Sequence, residues 1–191
     1  MKKIIFATNN AHKLEEVSAI LGGSIELVTL KEAGITEDIP ENESTIEGNA
    51  LAKARYVWEH TGCDCFADDT GLEVDALGGA PGVHSARYAT DGHDFAANRH
   101  KLLHEMAGKE CRTARFRTVV ALIEGGRERC FEGIVEGVIT TSERGEGGFG
   151  YDCLFQPKGY DKTFAEIAPE EKNAISHRGR AIAKLAKWFN Q

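Results

Sequence analysis

Residues 66 to 71 read FADDTG, an apolar pair followed by two adjacent aspartates, a threonine and a glycine. Carboxylates as close as Asp68 and Asp69 repel one another and resist burial. A solvated loop accommodates them, and a divalent cation does so better by offsetting the repulsion with oxygen ligands to spare. Glu41 and Glu43 add acids in a separate segment. Basic and anion-friendly elements stand against these acids. In TNNAHK, residues 8 to 13, a strand-like run gives way to a helical one. Backbone N–H groups at such a junction point outward unpaired, and the helix dipole there favours an anion. An anion would also compensate Lys13, whose charge is unfavourable in a first helical turn. EKNAISHRGR gathers Lys172, His177, Arg178 and Arg180 at another expected helix start, where arginine suits planar acceptors. Magnesium takes one or two carboxylates together with substrate phosphates and water. A compact acid pair and several separated cationic elements therefore point to a magnesium-bound polyphosphate.

Two other patterns point elsewhere and fail. GEGGFG, Gly145 to Gly150, satisfies G-x-G-x-x-G, but a dinucleotide fingerprint must follow a strand and open a helix. Here it precedes the strand-like YDCLF, so Rossmann binding is rejected. The loop still offers backbone N–H groups beside Phe149, a ring on which a base could stack. HTGCDC places His60, Cys63 and Cys65 close together. A structural zinc wants four ligands, and no second pair lies at finger spacing. The five scattered cysteines read as buried, inert thiols with no disulfide framework.

The positioning elements follow from periodicity. KKIIFAT is β-branched and apolar, a buried strand. Leu14, Val17, Ile20 and Leu21 recur at helical spacing until Gly22-Gly23. IELVTL is a second strand, and residues 31 to 43 form a long acidic loop. A helix starts at the capping box Ser44-x-x-Glu47 and carries Leu51, Ala54, Val57 and Trp58 on one side. CDCFA is a short strand before the aspartates and LEVDAL another after them; GGAPGVHSARY is a glycine-rich loop. Phe95, Leu102, Leu103 and Met106 mark a further helix. ARFRTVVALI and RCFEGIVEGVIT form a hairpin around Glu124-Gly125-Gly126. TSERGEGGFG is a flexible loop, YDCLF a strand, and the C-terminus a helix bearing Ile182, Leu185, Trp188 and Phe189. Hairpins mixed with βα units indicate an α/β fold with a mixed sheet.

At 191 residues the chain is large enough for one domain, residues 1–191, with a proper core. Its net charge of −7 excludes a general binder of nucleic acid or anionic membrane. No run approaches a membrane-spanning length. The apolar opening is too short for a secretory segment, so the expected location is cytoplasmic.

ATNNAHKLEEV, EGNALAKA, FADDTGLEVDALGGAPGVHSARY, GGFGYDCLF and EKNAISHRGRA, in that order from Thr8 to Arg178, resemble the inosine triphosphate pyrophosphatase family, also called dITP/XTP pyrophosphatases. The resemblance implies an elongated mixed β-sheet flanked by helices, with the active-site cleft between two lobes. It implies a Mg²⁺-dependent homodimer that hydrolyses the purine nucleoside triphosphates ITP, dITP and XTP to the monophosphate and pyrophosphate. By motif, Asp69 matches the catalytic base and part of the metal site. Glu41 matches a second metal residue, and Asp68 supports the same cluster. Thr8, Asn9, Asn10, Ala11, His12, Lys13, Lys53 and Thr70 match positions lining the substrate, chiefly its phosphates. Phe149, Gly150, Tyr151, Asp152, Lys172, His177 and Arg178 match the remaining substrate contacts, including the base pocket.

The chemistry so implied is attack of water on the α-phosphorus, with Asp69 taking its proton. Donors from His177 and Arg178 aimed at a 6-keto oxygen would go unpaired against adenine, which is a strong basis for rejection. The rival expectations are a pyrophosphatase for other modified nucleotides and a nucleotide sensor without turnover.

Overall fold

The computed structural model describes residues 1–191. Seven strands, β1 (Lys2–Phe6), β2 (Ile25–Val28), β3 (Cys65–Val74), β4 (Pro81–Gly82), β5 (Thr113–Glu124), β6 (Arg127–Ile139) and β7 (Phe155–Pro157), form one sheet. Five helices accompany them: α1 (Ala11–Leu21), α2 (Ile46–Thr61), α3 (Phe95–Met106), α4 (Pro169–Ile175) and α5 (His177–Phe189). The strand order is β2-β1-β3-β5-β6-β7, with β4 paired to β3. β1 runs parallel to β2 and β3, whereas the β3–β4 and β6–β7 pairs are antiparallel. The sheet is therefore mixed, as the alternation of hairpins and βα units requires. Gly125 and Gly126, both at positive φ, make the two-residue turn between β5 and β6 that only glycine adopts cheaply twice in succession.

The chain forms two compact units. Met1–Asp69, Thr118–Gly133 and Arg178–Gln191 make the first. Within it the period of two along each strand sorts side chains to opposite faces. Ile5, Ala7, Cys65, Ala67, Val119, Ala121 and Ile123 pack with Ala50, Ala54 and Val57 of α2. Ile4, Phe6, Phe66, Val120 and Leu122 pack with Val17 and Leu21 of α1 and Ala181, Ile182 and Leu185 of α5. Phe6 and Phe66, opposite one another in register, stack with centroids 4.6 Å apart. Thr70–Arg117 and Ile134–His177 make the second unit. Its core joins Leu72 and Val74 of β3, Leu102 and Met106 of α3, and Phe116, Phe155 and Phe164.

Three local readings change. Cys65–Val74, from CDCFA into LEVDAL, is one unbroken strand, β3, so Asp68 and Asp69 lie mid-strand rather than in a loop, and Asp75–Leu77 of LEVDAL is a 3-10 turn. A strand can hold both because neighbours along it face opposite ways. Helix α2 is capped one residue later than the Ser44 box predicts: Thr45 is extended, and its hydroxyl accepts the Gly48 N–H at 2.9 Å. YDCLF is a 3-10 turn over Asp152–Leu154 before the short β7 begins. The thiols also divide. Cys65 is buried, with burial pushing its pKa up to about 12, while Cys63, Cys111 and Cys130 are exposed and Cys63 precedes β3.

Candidate active site

In the first unit Asp68 follows the even-numbered face of β3, toward α1 and α5. Its Oδ1 lies 3.2 Å from Lys13 Nζ, and its Oδ2 accepts from Arg178 Nε at 3.1 Å. Arg178 also donates through Nη1 to Glu16 of α1 at 2.5 Å. Asp69 follows the odd face, toward α2. Its Oδ1 is 3.8 Å from Lys53 Nζ, which meets Glu41 Oε1 at 3.0 Å and donates to the Asp68 carbonyl. The adjacent aspartates thus turn to opposite faces of one strand, Asp68 toward Lys13 and Arg178 and Asp69 toward Lys53, and nearby cations offset the cost of burying both.

The electrostatics of the two carboxylates diverge. Burial pushes Asp68 up, but Lys13, Arg178 and Lys53 together outweigh it and hold the carboxyl well below its ordinary range. Burial raises Asp69 to about 6; Lys53 and Lys13 oppose the rise, and Glu41 and Asp68 add to it. Burial lowers Lys13 despite Asp68. Lys53 is also desolvated, yet Asp69, Glu41 and Asp68 raise it. A carboxylate near pKa 6 ionises at neutral pH while remaining basic enough to take a proton, as general-base catalysis needs.

Asp69 Oδ2 is buried and has no hydrogen-bond partner. An unpaired buried acceptor is costly, and a carboxylate oxygen in that state fits a cation. No three His, Cys, Asp or Glu side chains converge as a complete metal-binding group.

The segment from Thr8 to Lys13 sits beside this cluster through Lys13. Thr8 Oγ1 accepts the Asn10 N–H at 3.1 Å. Asn10 caps α1, its Oδ1 accepting from the N–H groups of His12 at 3.0 Å and Lys13 at 3.3 Å. These two donors are therefore not unpaired, contrary to the sequence expectation, because the asparagine side chain reaches back over the first turn. Asn9, Ala11 and His12 are exposed.

The other predicted residues, apart from Arg178, form a group within the second unit. Asp152 and Lys172 are both buried and paired at 2.7 Å. Asp152 Oδ2 also accepts the Phe149 N–H at 3.0 Å, and Lys172 Nζ stands 5.3 Å from the centre of the Phe149 ring. A Cβ on Gly148 would fall 2.1 Å from Asp152 Oδ2, so glycine there lets the carboxylate reach under the loop. His177 is buried against Phe116, ring centres 4.5 Å apart. Gly150 accepts from Arg99 Nη1 through its carbonyl. Tyr151 is part of the core, its hydroxyl donating to Ser85 O at 2.7 Å, and burial raises its pKa. Thr70 is half-buried on β3.

Sequence reasoning missed Glu16, although its i, i+3 spacing from Lys13 puts both on one face of α1. Lys172, expected just before or within the last helix, lies just before it in the short α4. In the structure the Arg178 guanidinium is engaged by Asp68 and Glu16.

The fold and its charged cluster define an α/β protein with buried, paired charges around the middle of β3, and with a buried ion pair beside a flat ring as a separate group. The chain belongs to the Ham1 family, whose sequence profile matches residues 4–188. A dITP/XTP pyrophosphatase of Porphyromonas gingivalis is 54% identical over 190 residues, covering 99% of this chain and 98% of that protein. One from Flavobacterium johnsoniae is 49% identical, covering 96% and 95%. The solved structure of a HAM1 protein from Coxiella burnetii superposes with a TM-score of 0.91 at 38% identity, covering 100% and 99%. The family resemblance and the mixed α/β fold expected from the motifs are both borne out.

Proposed function

We propose that this chain is a Mg²⁺-dependent nucleoside triphosphate pyrophosphatase that converts ITP, dITP and XTP to the monophosphate and pyrophosphate, clearing non-standard purines from the cytoplasmic nucleotide pool. The observation that carries this reading is Asp69: a buried carboxylate with one unpartnered oxygen, raised toward neutrality, between Lys53 and the Asp68 cluster. The names of relatives at about half identity over nearly the whole chain support the same substrate class.

Asp69 and Glu41 hold the ion, with the Asp68 charge in support, since both Asp68 oxygens are engaged by Lys13 and Arg178. Bound Mg²⁺ supplies neutralisation of the phosphate charge. Asp69 orients the attacking water and accepts its proton as the bond to the α-phosphorus forms. Lys13 stabilises the charge that grows on the departing pyrophosphate. Lys53 keeps Glu41 and Asp69 together without neutralising either by proton transfer.

Phe149, Gly150, Tyr151, Asp152, Lys172 and His177 serve the base. Phe149 stacks on it, and the Asp152–Lys172 pair presents a fixed donor and acceptor from a dry setting. Such a pair discriminates by leaving buried groups unmatched against the wrong purine. Arg178 enters as the partner of Asp68 and Glu16, holding the phosphate-side cluster together. The chain works as one catalytic domain, 1–191, and as a homodimer. No helix is long and apolar enough to cross a membrane, and the substrate is a nucleotide rather than nucleic acid.

Release of pyrophosphate from ITP, XTP, dITP, GTP and ATP, with Mg²⁺ or with chelator, tests the proposal. Rapid Mg²⁺-dependent cleavage of the first three and slow cleavage of the last two is expected. Cleavage indifferent to chelator, or binding of ITP without turnover, overturns it.

A further inference from the structure

The segment that carries Glu41 has no regular secondary structure, yet it is fastened at one point. Asn49 on α2 is 1% exposed, and its Oδ1 accepts the Glu43 N–H at 2.9 Å. Next to it, a Cβ on Gly48 would stand 2.9 Å from Glu43 Cβ, so the loop lies against the helix where only a hydrogen atom fits. One helical turn beyond Asn49, Lys53 meets Glu41. A single stretch of α2 therefore grips both ends of the Glu41–Glu43 segment, one through its backbone and the other through a carboxylate. Glu43 itself is exposed, which assigns the cluster to Glu41.

We infer that Asn49, with Gly48 beside it, is a positioning residue: it sets the path of residues 41 to 43 so that Glu41 is delivered beside Lys53 to complete the divalent-cation site. This rests on the reading of the Asp69 cluster as that site. A buried amide committed to one loop N–H fixes a backbone more tightly than exposed contacts do, because the buried acceptor cannot turn to water instead. Groups that orient metal ligands in this way are worth about 10- to 100-fold in metal affinity. A clamp that served folding alone would lower stability and leave metal affinity unmoved.

Asn49→Leu removes the acceptor at similar volume. Two quantities are read: the Mg²⁺ concentration that half-saturates ITP hydrolysis, and Mn²⁺ binding to protein loaded with the non-hydrolysable α,β-methylene analogue of ITP, followed by loss of the free-ion paramagnetic signal. Both should weaken about 10-fold, with kcat retained at saturating Mg²⁺. Asn49→Asp, which keeps an acceptor, should stay near wild type, and Asn49→Leu should add nothing in a Glu41→Gln background. Unchanged metal dependence, or the same increment with and without Glu41, overturns the inference. Should Asn49→Leu not fold, Gly48→Ala presses on the same point and carries the same expectations. If wild-type protein binds no Mn²⁺ and leaves ITP intact, the metal-site reading falls and takes the inference with it. If wild type does both and the variants match it, the positioning role alone falls.

Discussion

The charged groups of the two units are built on opposite plans. Around β3 in the first unit, the carboxylates of Glu16, Glu41, Asp68 and Asp69 meet the cations of Lys13, Lys53 and Arg178. Acids exceed bases among these groups, and one carboxylate oxygen is left without a hydrogen bond. In the second unit, Lys172 and Asp152 match one to one, braced by the Phe149 N–H and surrounded by the rings of Phe149 and Phe164. The first arrangement carries more acids than bases and an unpartnered carboxylate oxygen. The second is a matched pair, nearly neutral. Burial raises the stakes of both, because charge taken out of water must be matched within the protein or by a ligand.

The sharpest way to break this contrast is Asp69→Asn. It should lower ITP turnover by about 10³-fold, the scale of a lost general base, while the protein folds normally. The same change should stabilise the metal-free protein at neutral pH. A carboxyl whose folded pKa is raised costs nothing while protonated, and its cost builds as pH rises from about 4 to about 6. Thermal unfolding in chelator should therefore show Asp69→Asn higher than wild type by about 3 kcal/mol at pH 7, the gap closing below pH 4. A variant that unfolds more readily at pH 7 would show that the cluster is self-sufficient after all.

Arg178→Met and Lys172→Met then test what each region loses when one partner goes. Both leave buried carboxylates stranded, and each should destabilise by about 3 kcal/mol or more in denaturant titrations. The pH profiles should differ in a defined way for Arg178. Asp68 is depressed in the folded state, so the stability it contributes is present above its unfolded pKa and is lost as pH falls from there through its folded pKa. The penalty of Arg178→Met should accordingly shrink in acid. In kinetics, Lys172→Met should raise KM for ITP and leave the Mg²⁺ dependence alone. A shift in Mg²⁺ dependence would mean that the two regions share one task.

The smallest effect concerns the scaffold of the first region. Thr45→Ala should cost about 1 kcal/mol by removing the α2 cap, and Ser44→Ala next to it should cost almost nothing. Equal losses would return the cap to Ser44.

Much of this was legible in the linear chain. The unbroken apolar runs in KKIIF and in TVVALI mark strands with two covered faces, because successive side chains along a strand point to opposite sides. Lys13, Lys53, Asp69 and Lys172 could be nominated from motif blocks. Helix caps were less legible, since Ser44 and Thr45 compete with the same chemistry and only the backbone angle at Thr45 decides. Glu16 and Asn49 left almost no local trace: each acts on a residue distant in sequence or outside its own helix.

Composition, periodicity and motif order by themselves determined the α/β class, the anionic character and the choice of chemistry, for those depend on which side chains exist and how often they recur. Tertiary structure alone decided that the paired aspartates stand back to back on one strand, that Arg178 answers to Asp68 and Glu16, and which carboxylate oxygen is left over. The physical reason is that pairing and burial are properties of neighbours in space. A pKa, an ion pair or an orphaned acceptor has no value until the fold has fixed what surrounds it.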